Sequence, residues 1–130
     1  MGDAQMENNR VLVVDDYDDI SEMLAMLLRQ AGYQVETASS AAQALEKFID
    51  GGFCLVISDI GMPRMNGYEL ARKLRAMPEC RSTVLIAITG MDIYGDRGRA
   101  LHAGFDDLVA KPIGPRALLA TIERLRKNRK

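Results

Sequence analysis

Asp15, Asp16, Asp59, Thr89 and Lys111 are the residues of this sequence whose types, taken together, could carry out a reaction. A free aspartate has a pKa of ~3.9, so at neutral pH it is ionised and needs no base to act as a nucleophile. Carboxylates packed together repel, and each then favours sharing a proton. A hard divalent cation removes that conflict by taking oxygen ligands, and magnesium commonly uses one or two carboxylates plus waters. A nearby ammonium and the metal would offset the charge of a transferring phosphoryl group, and a hydroxyl would donate to one of its oxygens. The chemistry implied is magnesium-assisted phosphoryl transfer onto Asp59. Thr89 would supply the hydroxyl donor and Lys111 the ammonium.

Those residues matter only if the chain brings them together. Short apolar runs predict strands at Val11 to Val14, Gln34 to Thr37, Phe53 to Ser58, Val84 to Ile88 and Asp107 to Ala110. The first, third and fourth are continuous Val, Leu and Ile, which suits strands covered on both faces. Helical periodicity fills the gaps. Ile20, Leu24, Leu27, Leu28 and Ala31 share a face, with Asp18 as expected cap and Gly32 as terminator. A second helix is expected from about Ser40 to Asp50. A third opens at Asn66, with Glu69 completing a capping box, and a fifth starts at Pro115. The fourth segment, Met91 to Ala103, carries Gly95 and Gly98, each costing about 1 kcal/mol of helix propensity against Ala. It is expected to be short, frayed or mobile.

Strict alternation of strand and helix implies an α/β fold, a doubly wound parallel sheet with helices on both faces. Asp15-Asp16, Asp59, Thr89 and Lys111-Pro112 each follow a predicted strand, at the edge where open α/β sheets bind ligands. If the strand order is 2-1-3-4-5, they meet in one crevice. Singly, each has an ordinary explanation: a capped turn, a strand-end turn, a surface lysine. Their conjunction on one edge carries the reading.

The bulk composition narrows the alternatives. The chain of 130 residues is long enough for one domain with its own core. A net charge of -1 gives no global attraction to nucleic acid or an anionic membrane. No apolar run approaches the ~20 residues of a membrane span, and the polar start lacks a signal-peptide core. Cys54 and Cys80 have no metal-ligand spacing, and Cys54 is expected to be a buried reduced thiol. These features fit a reducing cytoplasm. His102, the only histidine, lacks the neighbours of a kinase phosphorylation site. The basic end, Arg124 to Lys130, complements a helix dipole.

The motifs Val11-Leu12-Val13-Val14-Asp15-Asp16, Asp59-Ile60-Gly61-Met62-Pro63-Arg64-Met65-Asn66-Gly67, Ile88-Thr89-Gly90, Ala103-Gly104-Phe105-Asp106-Asp107 and Lys111-Pro112-Ile113 resemble the response-regulator receiver family of two-component systems. The resemblance spans roughly residues 10–126, leaving a flexible segment at 1–9 and a basic tail at 127–130. It implies a flavodoxin-like fold with five strands and five helices. It makes Asp59 the phosphoacceptor, adds the Gly61 carbonyl to Asp15, Asp16 and Asp59 as magnesium ligands, and makes Thr89 the switch hydroxyl. It implies a cis Lys111-Pro112 bond. It also implies a phosphohistidine donor, on a sensor histidine kinase or a histidine phosphotransfer protein, and a downstream protein partner. The wording from Thr89 to Phe105 is similar to receivers attached to hybrid sensor kinases. A monomer or weak dimer is expected.

One position departs from the family pattern. Where receivers commonly carry a Tyr or Phe that turns inward with the threonine, this chain has Leu108. Phe105, three residues earlier, is expected to pack in the turn or core. Signalling is therefore expected through altered order or contacts around the fourth helix, and a degenerate or phosphate-sink receiver with little conformational readout is the alternative. Gly61 and Met91, two residues after Asp59 and Thr89, stand where the family tunes water access. A phosphatase working through an aspartyl phosphate would want a second acid where Gly61 stands.

Overall fold

The computed structural model describes residues 8–90 and 93–128. The five strands are β1 (Arg10–Val14), β2 (Gln34–Ala38), β3 (Leu55–Asp59), β4 (Val84–Thr89) and β5 (Asp107–Ala110). They form one parallel sheet in the order β2-β1-β3-β4-β5. The helices are α1 (Asp18–Gln30), α2 (Ala41–Gly51), α3 (Gly67–Arg75), α4 (Ile93–Ala103) and α5 (Pro115–Asn128), with a short 3-10 turn at Pro78–Cys80. The expected fold class and strand order are those observed.

Alternate residues of the central strands feed two apolar layers. Leu12, Val56, Leu85 and Ala87 pack with Ala44 and Phe48 of α2, Leu70 and Leu74 of α3, and Ala100 of α4. Val11, Val13, Leu55, Ile57, Ile86 and Ile88 pack with Leu24 and Leu28 of α1 and Leu118 and Ile122 of α5. Two-sided burial is why β1, β3 and β4 read as unbroken apolar runs. Each fully buried Leu or Ile contributes about 1.5–3 kcal/mol.

Helix ends follow local chemistry, with one correction. Ser40 caps α2 by accepting from the Gln43 N–H, and Gly52 closes it in the left-handed region. Asn66 and Glu69 form the reciprocal capping box of α3. Asp18 does not cap α1: it is the first helical residue, and Tyr17 occupies the cap position without a side-chain bond. The chain turns earlier than expected because Asp15 Oδ1 accepts from the Tyr17 N–H at 2.9 Å. Asp18 and Asp19 then lie in the first turn, where they favour the helix dipole.

The fourth helix is not short. It runs 11 residues through Gly95 and Gly98, held on the sheet by buried Ala100 and Ala103. Tertiary packing outweighs weak propensity here. Gly104, at φ 120°, ends it. The Met91 position lies outside the described residues, as do residues 1–7 and 129–130. Asn8 and Asn9 are tied to the fold: Arg126 donates to the Asn8 carbonyl at 2.7 Å and to Asn9 Oδ1 at 3.4 Å. Asn8 also bonds the Gly52 carbonyl. Cys54 lies just before β3 and is half-buried, with its thiol pKa pushed up by burial. Cys80 is fully buried, and both cysteines are free. No described helix is long and apolar enough to cross a membrane.

Candidate phosphoryl-transfer site

Parallel register places the site. Val14 pairs with Ser58, so Asp15 leaves β1 level with Asp59 at the end of β3. Asp59 pairs with Ile88, one residue before Thr89, and Thr89 pairs with Ala110, one residue before Lys111. Backbone bonds continue the ladder past the strand ends. Ile60 N–H donates to the Ile88 carbonyl at 3.1 Å, and Lys111 N–H to the Thr89 carbonyl at 2.8 Å. Four neighbouring strands thus deliver their chemistry to one edge.

The carboxylates of Asp15, Asp16 and Asp59 converge, each offering an oxygen within 4.8 Å of the others. Asp15 is 1% and Asp59 6% exposed. Lys111 Nζ stands 3.5 Å from Asp59 Oδ1. Burial raises the pKa of Asp15; the Tyr17 N–H pulls it back, the charges of Asp59 and Asp16 raise it, and Lys111 lowers it. Asp15 Oδ2 and Asp16 Oδ1 are buried with no hydrogen-bond partner among the described residues. Such orphaned acceptors in a buried acidic group fit an oxygen-ligated divalent cation, which would satisfy both and neutralise their repulsion.

A cleft of about 440 Å³ opens over this group, lined among others by Tyr17, Asp59, Gly61, Thr89, Arg99 and Lys111. Two contacts fix the Asp59 backbone beside it. Ser58 Oγ donates to the Asp59 carbonyl at 2.9 Å. Gly67 begins α3 directly against that carbonyl, where an added Cβ would lie 2.5 Å from the Asp59 oxygen and 2.8 Å from Ile60 Cα. Only glycine allows that approach. The Lys111-Pro112 peptide is cis. A side chain at Gly61 would meet nothing within 4 Å, so that position opens the cleft to water.

Leu108 is 5% exposed and packs with Phe105, Ala100 and Ala103 in the layer under α4. Phe105 is a core residue, as expected. His102 is exposed on α4, away from the acidic group.

Several polar groups beside the site were not foreseen. Tyr68, at the second position of α3, lines the cleft with Arg99, and the Arg99 guanidinium carbon lies 4.5 Å from the ring centroid. Asp107 receives Arg97 of α4 at 2.5 Å and Arg124 of α5 at 2.6 Å. Burial alone would raise the Asp107 pKa, but the Leu108 N–H and the two guanidiniums outweigh it and hold the carboxyl below its ordinary range. Arg75 donates to the carbonyls of Cys80, Thr83 and Gly104 and to Asp106 Oδ2. Helical spacing marks these arginines only as solvated charges; their partners depend on tertiary placement.

A doubly wound domain with an acidic cleft on its carboxyl edge, flanked by Lys111 and Thr89, defines a phosphoryl-transfer signalling module of α/β type. The chain belongs to the response regulator receiver domain family, whose model matches residues 11–123. It is a receiver domain of two-component signalling. It is 35% identical over 121 residues to an uncharacterized 14.6 kDa protein in the sodA1 3′ region of Leptolyngbya boryana, covering 93% of this chain and 90% of that one. It is 30% identical over 118 residues to the transcriptional regulatory protein SrrA of Staphylococcus aureus, covering 91% of this chain. That match takes in 48% of SrrA, so the chain spans about half the length of this relative. Among solved structures, the Vibrio cholerae chemotaxis protein CheY4 superposes with a TM-score of 0.86 at 32% identity, covering 92% of this chain and 99% of that one.

Proposed function

We propose that Asp59 is the phosphoacceptor, loaded in a magnesium-dependent reaction. The convergence of three carboxylates with two orphaned buried oxygens carries this reading. Asp15, Asp16, Asp59 and the Gly61 carbonyl would hold the ion, which supplies positive charge for the phosphoryl oxygens when bound. The Asp59 carboxylate attacks phosphorus while the phosphorus–nitrogen bond of a phosphohistidine breaks. The electron pair leaves with the imidazole, and the product is an acyl phosphate. Lys111 offsets its added charge, and the Thr89 hydroxyl donates to one of its oxygens.

The donor would be a sensor histidine kinase or a histidine phosphotransfer protein, and the setting a reducing cytoplasm. The output would be altered binding of a protein partner at the face of α4, β5 and α5. Direct nucleic-acid contact and membrane insertion are not part of this reading, and a monomer or weak dimer suffices for it. The chain would act as a switch with only self-phosphorylation and autodephosphorylation chemistry. One observation favours a second reading of the output. Leu108 fills the core where the family usually keeps an inward-turning aromatic, which fits a phosphate sink with little readout.

Incubation with acetyl phosphate and magnesium, followed by intact-mass measurement, tests the acceptor. Wild type should gain one phosphoryl group, and Asp59→Asn none. A gain in both, or none in wild type with either acetyl phosphate or a phosphohistidine donor, would refute the assignment.

A further inference from the structure

We propose that Arg99 is a second cation for the phosphoryl group, and that through it α4 itself reads the modification; this rests on Asp59 being the acceptor. Among the described residues, Arg99 and Lys111 are the two cationic side chains lining the cleft that contains Asp59 and Thr89. Lys111 already faces Asp59 at 3.5 Å. Arg99 is exposed and forms no ion pair among the described residues; its guanidinium rests on the Tyr68 ring. That ring is a fixed platform: Tyr68 is 4% exposed, and the preceding Gly67 sits against the Asp59 carbonyl.

Charge accounting points the same way. A divalent ion and Lys111 together match the charge of the three carboxylates. Conversion of Asp59 to an acyl phosphate adds roughly one more negative charge at neutral pH. Among the described residues, Arg99 is the remaining cation on the wall of the cleft. A guanidinium offers a planar fork suited to two phosphoryl oxygens, and such charge-assisted bonds are stronger than a solvent-exposed cation–π contact. Arg99 would trade the face of Tyr68 for the phosphoryl oxygens. Because it is carried by α4, the trade would draw on that helix directly and would need no aromatic residue at position 108.

The test uses the whole chain with magnesium and beryllofluoride, followed by nitrogen-15 NMR of backbone amides and arginine Nε–Hε groups. Arg99→Lys identifies the Arg99 side-chain resonance by its loss. The expected result is a beryllofluoride-dependent shift of that resonance in wild type and none in Asp59→Asn. If the Asp59 and Thr89 amides move while the Arg99 Nε–Hε stays still, Arg99 is not a ligand and the acceptor reading survives. If none of them moves, both fall. Arg99→Gln should weaken beryllofluoride binding about tenfold, the loss of one charge-assisted contact, with partial recovery in Arg99→Lys and only the small fall in urea midpoint that loss of the Tyr68 contact brings. Equal affinities in wild type and Arg99→Gln would overturn the proposal. So would Gln and Lys variants equally impaired, since that pattern belongs to packing on Tyr68 rather than to charge.

Discussion

Asp107 holds three elements together, and its removal should leave a pH signature. Its carboxylate side chain, 10% exposed, accepts from Arg97 of α4 and Arg124 of α5. It also accepts from the Leu108 N–H at 2.8 Å. In Asp107→Asn the amide oxygen retains the backbone bond, so the loss is confined to the charged part of the two arginine contacts. Both guanidinium side chains are more than half exposed, at 53% and 56%. Solvent screening therefore limits each arm to roughly 0.5 kcal/mol, for a total near 1 kcal/mol. For a domain of this size that is a fall in Tm of about 3–5 °C. The sign with pH follows from linkage. The folded pKa of Asp107 lies below its ordinary value of 3.8, so the stabilisation is fully present above that value and is lost as pH falls through the folded one. Urea titrations of wild type and Asp107→Asn at pH 7, 5 and 3.5 should show the difference holding and then narrowing. A difference that stays the same to the lowest pH would refute an electrostatic clamp.

Two other perturbations test the site's construction. Gly67→Ala places a methyl 2.5 Å from the Asp59 carbonyl oxygen and 2.8 Å from Ile60 Cα, both backbone atoms that no rotamer change can clear. It should cost about 1–3 kcal/mol in urea unfolding and slow acetyl-phosphate loading more than Gly61→Ala, whose added methyl meets nothing. Asp15 has a raised folded pKa, so its charge costs stability at neutral pH and the cost disappears as pH falls through that value. In EDTA at pH 7, Asp15→Asn should therefore melt higher than wild type. Magnesium should raise the midpoint of wild type and leave that of Asp15→Asn unchanged. A variant that melts lower in EDTA would show that the buried Asp15 charge costs the fold nothing.

Much of the site was legible because its logic is local. An apolar run followed by an acid marks a buried parallel strand ending at the ligand edge, and once Val14, Ser58, Ile88 and Ala110 are in register, Asp15, Asp59, Thr89 and Lys111 must converge. The capping box at Asn66 was equally local. Other features depend on how elements turn against one another. Asp18 looked like a cap because the bond from Tyr17 to Asp15 is invisible in residue order. Gly95 and Gly98 argued against a full fourth helix, but packing of Ala100 and Ala103 decided the matter. Arg97 and Arg99 are two residues apart on one helix, so they project in different directions: one meets Asp107, the other Tyr68. Sequence spacing says they diverge and leaves their partners open.

That divergence gives α4 two competing attachments. Asp106, just before β5, and Asp107, its first residue, turn to opposite sides. Asp106 binds Arg75 and the Leu85 N–H on the α3 side, and Asp107 binds Arg97 and Arg124. Arg75 also holds the Gly104 carbonyl at the end of α4, at 2.8 Å. α4 is thus held at Arg97 and just past its carboxyl-terminal end at Gly104, while Arg99, between the two, is tied only to the ring of Tyr68 among the described residues. If phosphorylation draws Arg99 toward Asp59, the contact that resists is Arg97 to Asp107. Weakening it should let the helix respond further. Beryllofluoride should then produce larger amide shifts from Arg97 to Asp106 in Asp107→Asn than in wild type, at matched occupancy. Equal shifts would mean that α4 does not move against Asp107, and that the switch leaves the clamp intact.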